Sequence, residues 1–479
     1  MIYRYINWMM KRQGLVCARG LLAIFLSLFA CTKWVVADMK AFVGGTLIDG
    51  TGGAPRADAV ILVQDERIVE VGSRDEIPIP SDARVVDASG KWIVPGLIDA
   101  HIHFFQSGGL YTRPDVIDLR DVRPYADEIA SIKERIPATL ARYLASGVTS
   151  VVDVGGPFWT FDVRDLARQT EWAPRVAVTG PLIATYFPQE LKVDDPALIK
   201  VNSAEESRAV VREILARKPD LIKIWFIPLP GRSLALQTAV VQAAVEASHA
   251  AGRRVIVHAT ELETARLAVQ AGADILAHSV EDRRVDDAFI KLLKDRNVVY
   301  VTTLVVNEGY QEVLGQKVRL SNIERRLGDP EAIASFRDLA RLPARKRLWA
   351  FHWFGRETVF WNLKRLQQSG VTIAAGTDAG NIGTLHGPAL HREFELMAEA
   401  GLSPQEILTA ATRGGARVMG RSAELGTLEK GKLADFVLLD ADPLADITHL
   451  RRVFRVVKGG QVFDPKAWDE RHQPVQLEL

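Results

Sequence analysis

The chain has 479 residues, of which 48% are apolar and 25% charged, so it is long enough for a large core and typical of folded globular proteins. Its formal net charge of +1 provides no basic excess for binding phosphates, which argues against a nucleic-acid partner. The only cysteines, Cys17 and Cys31, lie near the amino terminus, so a metal held elsewhere in the chain needs nitrogen and oxygen ligands.

The first 37 residues have the pattern of an export signal. Basic residues precede the apolar run 21–30, and no acidic residue occurs before Asp38. The run is shorter than the ~20 residues of a membrane span, so we expect a cleaved signal peptide over 1–37 and a periplasmic or secreted protein. Residues 28–31 also resemble a lipobox, which leaves lipid anchoring through Cys31 as an alternative and an uncleaved anchor as another.

Both ends of the remaining chain have the pattern of short β-strands. Residues 38–93 and 421–479 contain brief apolar runs separated by glycine, proline and aspartate. Neither end has many strands of its own. We therefore predict that the two ends together form one small β-sandwich domain.

The middle, residues 94–420, alternates strand-like and helix-like segments, which is typical of a parallel α/β sheet. Eight strands are predicted, the number that closes a (β/α)8 TIM-like barrel. These strands are predicted at residues 92–103, 149–154, 175–183, 221–227, 254–259, 275–280, 298–305 and 371–378.

Residues 307–370, between the last two predicted strands, are too many for an ordinary connection. They contain helical patterns and a group of aromatic residues that includes Trp349, Trp353 and Trp361. Two interpretations remain open: a lid or wall over the barrel mouth, or an additional helical layer packed against the barrel.

Metal-binding residue types occur where the predicted strands end. His101 and His103 are two residues apart in a strand and therefore point to the same side. Further along the chain, His258, His278 and Asp378 also end apolar runs. Because a (β/α)8 barrel carries its chemistry at the carboxyl ends of its strands, and imidazole is a common zinc ligand, this pattern predicts a metal site.

Lys223 lies in the same kind of position but is an unusual candidate, since a protonated lysine repels cations. A surface charge or a salt bridge is the simpler interpretation. Its apolar neighbours, however, indicate burial, which lowers the pKa of an amine. A neutral amine can add carbon dioxide to give an anionic carbamate, which can bridge two cations about 3.5–4 Å apart.

Four segments carry a family resemblance: Pro95–His103, Asp220–Ile224, Gly376–Gly380 and Leu428–Asp435. On these motifs the chain resembles the amidohydrolase superfamily, and more narrowly its imidazolonepropionase-like and Xaa-Pro dipeptidase (prolidase-like) groups. The resemblance covers nearly all of the chain after the leader. Imidazolonepropionase has a mononuclear site without a bridging lysine, so Lys223 favours the binuclear, peptidase-like branch.

The resemblance implies two divalent metal ions, most simply zinc, held by six side chains: His101, His103, Lys223, His258, His278 and Asp378. The first two histidines and Asp378 would bind one ion, the last two histidines the other, and a carboxylated Lys223 would bridge both. The two cations would then activate a shared hydroxide, with Asp378 as the catalytic general base and acid.

The expected reaction is hydrolysis of a carbon–nitrogen amide bond in a dipeptide, an N-acyl amino acid or a related amide. Arg232 and Tyr186 follow strands and are candidates for contacting a substrate carboxylate, although each can equally be a solvated or packing residue. Alternatives on the same scaffold are a lactonase, a phosphotriesterase, a deaminase or cyclic-amide hydrolase, and, more remotely, a non-catalytic binding protein. Besides a small-molecule or peptide substrate, a second copy of the chain remains an open partner.

Overall fold

The computed structural model describes residues 38–228, 231, 233–341, 353 and 355–471, with side chains described as far as Trp468. The predicted signal peptide, Cys31, Arg232 and part of the aromatic group in 307–370 lie outside the described residues. Within the described ranges, no helix combines the length and the apolar character needed to cross a bilayer.

The strands, numbered in chain order, are β1 Met39–Leu47, β2 Arg56–Gln64, β3 Arg67–Ser73, β4 Arg84–Asp87, β5 Trp92–Pro95, β6 Leu97–Ile102, β7 Val148–Asp153, β8 Arg175–Val178, β9 Leu182–Ala184, β10 Leu198–Lys200, β11 Ile222–Trp225, β12 Val255–His258, β13 Ile275–Ala277, β14 Val299–Val301, β15 Thr372–Ala374, β16 Phe436–Leu439, β17 Val453–Lys458 and β18 Gln461–Phe463. The α-helices span Tyr125–Ala145, Thr160–Gln169, Ala204–Ala216, Leu234–Ala250, Leu262–Gln270, Asp287–Asp295, Leu304–Leu314, Asn322–Leu327, Pro330–Ser335, Asp338–Arg341, Arg356–Gln368, Ala389–Glu399, Pro404–Thr409, Gly415–Met419 and Pro465–Arg471. Short 3-10 turns occur at Leu110–Thr112, Gln189–Leu191 and Ile447–Arg451, and a π-helical turn at Ala410–Gly414.

The two chain ends form one sheet, as the sequence predicted. Its strand order is β18-β17-β16-β5-β1-β2-β3, with β4 paired to β1. The ends join where β16 runs antiparallel to β5, with Phe436 opposite Pro95 and Leu438 opposite Ile93. Separate apolar clusters, one around Phe42 and the other around Val43, pack on this sheet, an arrangement consistent with the predicted β-sandwich.

Eight parallel strands form the middle of the molecule: β6, β7, β8, β11, β12, β13, β14 and β15. The backbone N–H of Asp220 donates to the carbonyl of Val178 over 2.9 Å and joins β8 to β11. Ala100 N–H donates to the carbonyl of Ala375 over 3.0 Å and joins the first strand to the last. This order of strands is consistent with the predicted barrel.

Two of the predicted strands are divided in the structure. The predicted strand 92–103 is interrupted at Gly96, whose N–H donates to the carbonyl of Asp435. As a result, β5 joins the end sheet while β6 enters the barrel. Residues 175–183 split at Pro181, which has no N–H to continue a ladder. The chain then leaves the barrel path as a parallel pair, β9 and β10, added to the edge of β11.

The described part of 307–370 is mainly helical. Its helices share an apolar cluster with the loop after β6 and the loop after β15, through residues such as Val313, Leu110 and Leu385. These loops lie at the carboxyl ends of the barrel strands, so the segment packs on that end of the barrel. Packing at this end agrees with a wall beside the barrel mouth as well as with a helical layer, so both interpretations stay predictions for the part that is described.

Candidate metal centre

A cavity of about 140 Å³ opens at the carboxyl ends of the barrel strands. Five of the predicted ligands line it: His103, Lys223, His258, His278 and Asp378. The sixth, His101, is fully buried, and its Nε2 lies 3.5 Å from Oδ1 of Asp378. Two larger cavities of about 660 Å³ contain none of the six residues, so side-chain chemistry and not volume identifies the site.

The histidines and Asp378 form a compact group. His103 Nε2 lies 3.0 Å from Oδ1 of Asp378, and the ligand atoms of His101, His103 and Asp378 all lie within 4.8 Å of one another. The ring of His278 is 4.6 Å from that of His101 and 4.3 Å from that of His258, measured between centroids. The four histidines and the carboxylate therefore converge on one small volume.

Neighbouring groups fix the orientation of these ligands. His103 Nδ1 bonds the carbonyl of Gly155 over 2.7 Å, which leaves Nε2 as the atom directed at Asp378. His278 Nδ1 lies 2.8 Å from the Thr303 hydroxyl. Asp99 accepts hydrogen bonds from the Thr377 hydroxyl at 2.7 Å and from the His101 N–H at 3.3 Å. It thereby ties β6 to the loop that carries Asp378.

Several buried polar atoms of the site have no hydrogen-bond partner among the described residues. They are both ring nitrogens of His101, Nζ of Lys223 and Oδ1 of Asp378. Leaving such an atom unpaired costs about 1–3 kcal/mol, so several of them together indicate a site that is built to bind a ligand. A divalent metal such as zinc is suited by imidazole nitrogens and a carboxylate oxygen, and the Lys223 amine would suit it once converted to a carbamate.

Burial sets the protonation of the site. It lowers the pKa of His101 and His258 well below the usual value, and that of His278 to about 3. Burial alone would raise the pKa of Asp378, but His101 and His103 hold it well below its ordinary value. Neutral imidazoles and an ionised carboxylate are the forms that bind metal.

Lys223 lies on β11 and is 1% exposed. Its neighbours in the strand, Ile222 and Ile224, point to the opposite face and pack in the core. Burial lowers the pKa of Lys223 from 10.5 to about 7, although Asp378 opposes this effect. A substantial fraction of the amine is therefore uncharged near neutral pH.

Strained backbone occurs at two of the candidate ligands. His278 has φ of +71° and Asp378 has φ of +59°, in the left-handed region that residues with a side chain seldom adopt. Such strain persists where the surroundings hold a residue in a working position. Nearby, a Cβ on Gly376 would lie 2.7 Å from Cβ of His101, so only glycine permits this close approach of the first and last strands.

Tyr186, a candidate for contacting a substrate carboxylate, does not line the cavity, and two other buried polar residues, His391 and Asp153, bond the backbone. Tyr186 is 40% exposed and is not among the residues that line the cavity; its ring lies 6.3 Å from that of Trp225. Its contact with a substrate carboxylate stays a prediction, as does that of Arg232. His391 Nε2 bonds the carbonyl of Ser146 over 2.9 Å, and Asp153 accepts from the Gly155 N–H, so both support the backbone.

Some residues that line the cavity were missed. Arg113 binds both carboxylate oxygens of Asp115, at 2.8 and 2.7 Å, and its Nη1 also bonds Tyr310 and Asn381. Tyr310 and Asn381 are 197 and 268 residues from Arg113 in the sequence, and their spacing provides no signal. Trp225, in contrast, is two residues after Lys223 on the same strand face, and this spacing could have revealed it.

Comparison with known proteins agrees with the geometry. Residues 92–463 match the model of the amidohydrolase family. An imidazolonepropionase from Rhizorhabdus wittichii is 26% identical over 432 residues, which are 84% of this chain and 92% of that protein. A crystal structure of an amidohydrolase has a TM-score of 0.67 at 26% identity, covering 89% of this chain and 99% of its own. A Xaa-Pro dipeptidase structure with bound methionine has a TM-score of 0.68 at 23% identity, covering 89% and 100%.

Proposed function

This chain belongs to the amidohydrolase family, and we propose that it hydrolyses an amide bond of a dipeptide, an N-acyl amino acid or a related amide. The relatives to which it is similar, such as the imidazolonepropionase, are hydrolases acting on carbon–nitrogen bonds. The single observation that carries the proposal is the buried group of unpartnered histidine, lysine and aspartate atoms beside an open cavity. The motif-based resemblance to this family is confirmed by the match over residues 92–463.

Two divalent ions, most simply zinc, fit the donor set. In the proposal His101, His103 and Asp378 would hold one ion, His258 and His278 would hold the other, and a carboxylated Lys223 would supply a ligand to both. When bound, such ions lower the pKa of a water molecule and polarise the amide carbonyl.

The carbamate is formed by the lysine itself. In its neutral form, Nζ of Lys223 attacks the carbon of carbon dioxide. A nitrogen–carbon bond forms while one carbon–oxygen π bond breaks and leaves its electron pair on oxygen, and the nitrogen loses one proton to solvent. The product carries a single negative charge on two oxygens. The low pKa of Lys223 supports this step because it keeps the amine available as a nucleophile near pH 7.

Proton transfer falls to Asp378. Its carboxylate is ionised and lines the cavity, and its backbone N–H bonds the carbonyl of His101 over 2.7 Å, which fixes its place relative to the ligands. We assign it to accept the proton of the attacking water and to return that proton to the leaving nitrogen. Burial lowers the pKa of His101, His258 and His278, so these three imidazoles keep their lone pairs for binding and do not compete for this proton.

The test is elemental analysis of the purified protein together with product analysis on a panel of amides. We expect two ions per chain, a clear loss in Lys223→Ala, and no loss in Lys40→Ala, a control lysine that is 7% exposed in the end sheet. One ion per chain, unchanged in Lys223→Ala, would contradict the bridged site and favour deaminase chemistry. Cleavage of lactones or phosphotriesters in place of amides would assign a different reaction to the same centre.

Export also belongs to the proposal. We infer a cleaved leader over 1–37 and a periplasmic or secreted enzyme from the sequence pattern alone. Lipid anchoring through Cys31 is the alternative to plain export. A second copy of the chain is the candidate protein partner.

A further inference from the structure

We propose that the segment 182–200 forms an apolar wall that selects amides with a bulky apolar group next to the bond that is cleaved. The inference rests on the proposed amide hydrolysis and names the substrate class of the same site. It concerns side chains that the metal chemistry does not use.

The residues that line the cavity include an apolar group formed by Phe105, Leu182, Leu191, Leu198 and Trp225. The three leucines are only 5–6% exposed. Gln106, Arg113 and Asn381 add polar atoms to the lining, and Arg113 and Asn381 are hydrogen-bonded to each other. The leucines of segment 182–200 therefore offer a substrate hydrocarbon surface in the same cavity as the metal ligands.

Strand register explains why the leucines face the metal ligands. Leu198 of β10 is opposite Leu182 of β9, and Ile183 of β9 is opposite Ile224 of β11. Side chains alternate along a strand, and paired residues share a face, so Leu182 and Leu198 lie on the same face as Lys223. The wall and the proposed bridging residue belong to one surface of one sheet.

The wall is built as a fixed part of the site. A Cβ on Gly155 would lie 2.4 Å from Cδ1 of Leu182, so the absence of a side chain at 155 lets this leucine pack against the residue that holds His103. Further along the segment, the carboxylate of Asp195 accepts the N–H groups of Phe158 and Trp159 at 3.0 and 3.2 Å. These contacts hold the segment in place without a substrate.

The physical consequence is selection by polarity. An apolar group that leaves water for this wall gains about 25 cal/mol for each Å² buried. A polar group of equal size would lose its hydrogen bonds to water and find no partner among the leucines. The wall thus favours N-acyl amino acids or dipeptides with branched aliphatic or aromatic groups.

The experiment compares substrates of equal shape with the zinc-loaded enzyme. N-acetyl-leucine is paired with N-acetyl-asparagine, and (4-methylpentanoyl)glycine with succinamoylglycine, so that each side of the amide is probed by one apolar and one polar isostere. We expect kcat/KM to favour the apolar member of at least one pair by roughly tenfold or more. Equal values, or a preference for the polar members, would overturn the inference.

Variants then locate the effect. Leu198→Ala is expected to reduce the apolar preference several-fold, with Leu191→Ala as the second variant if the first folds poorly. Leu402→Ala is the matched control, because Leu402 is also 5% exposed in the same core but does not line the cavity. A preference that is unchanged in both wall variants, or reduced equally in the control, would contradict the assignment.

A calorimetric titration keeps this test independent of the proposed reaction. N-acetyl-leucine and N-acetyl-asparagine are titrated into the zinc-loaded enzyme and into its Leu198→Ala variant. If metal is bound but no amide is cleaved, the proposed function fails, and the wall is still supported by a preference for the leucine compound that the variant loses. Equal affinity for the two compounds would reject the wall whatever the enzyme hydrolyses.

Discussion

The junction between the barrel and the end sheet and the candidate metal centre both hold charged residues with little exposure, and they differ in how the polar atoms of these residues are satisfied. Where the barrel meets the end sheet, Arg175 binds both oxygens of Asp435 at 2.7 and 3.0 Å, and the N–H of Gly459 adds a third bond at 2.7 Å. At the metal centre, Lys223 and Asp378 keep buried atoms without a hydrogen-bond partner among the described residues. The ion pair at the junction is thus satisfied within the fold, whereas the centre holds buried atoms, Nζ of Lys223 among them, that have no hydrogen-bond partner among the described residues.

The difference shows what each cluster does. A paired buried charge is part of the fold, because its desolvation is offset by contacts already present. An unpaired one raises the free energy of the folded chain until a ligand arrives, so it persists only where binding requires it. Mutations should therefore affect function at the centre and stability at the junction.

The largest expected effect is at the centre. Asp378→Asn removes the proton acceptor while keeping its shape, so kcat/KM should fall by roughly 10²–10⁴-fold while the metal-free protein remains folded. Steady-state kinetics and thermal unfolding of the same preparations measure the two quantities. A variant that unfolds far below the wild-type temperature would place Asp378 with the structural charges.

The matching change at the junction is Asp435→Asn. It leaves Arg175 partly buried without its ion-pair partner, and we expect the free energy of unfolding to drop by about 3–5 kcal/mol. Activity per folded molecule should be unchanged, since Asp435 does not line the cavity. Urea unfolding and activity at low temperature separate the two effects. A loss of activity without a loss of stability would erase the contrast between the clusters.

A smaller effect is expected from pH. Between about pH 7 and 10.5, the unfolded chain keeps a proton on Lys223 that the folded, metal-free protein has already lost. The contribution of this group to the free energy of unfolding therefore increases as the pH rises through that interval. The uncharged fraction of an amine with this pKa increases about tenfold from pH 6 to pH 8. At fixed dissolved carbon dioxide, uptake of the second ion should follow this increase. Uptake that is flat with pH would argue against a free amine as the starting form.

Much of the strand order and of the candidate metal centre could be predicted from the sequence because the relevant signals are local. A short apolar run that ends at His258 or Asp378 indicates both a strand and a candidate functional residue at the carboxyl end of that strand. The end strands were also visible from their turn residues. The predicted contact of Arg232 falls outside the described residues and is untested.

Other features depend on contacts that a linear pattern does not contain. The hydrogen bond between Arg113 and Asn381 joins positions 268 residues apart, and no periodicity indicates it. The break in the predicted strand 92–103 depends on the pairing of β16 with β5, which the sequence pattern does not show. The wall over 182–200 likewise follows from the pairing of β9 with β11, which is a tertiary event.

The smallest predicted effect lies within one motif and tests whether burial, not charge, decides the outcome. Lys430 and Asp435 belong to the same segment, Leu428–Asp435, and both form ion pairs. The pair of Lys430 with Glu70 is 69% and 48% exposed, so water already solvates both groups, and the measured worth of such pairs is about 0–1 kcal/mol. Lys430→Ala should therefore change the free energy of unfolding by less than about 1 kcal/mol, and added salt should shrink the difference further. A loss as large as that of Asp435→Asn would mean that the motif stabilises the fold through its charges in general, and burial would no longer explain the large effect expected at Asp435.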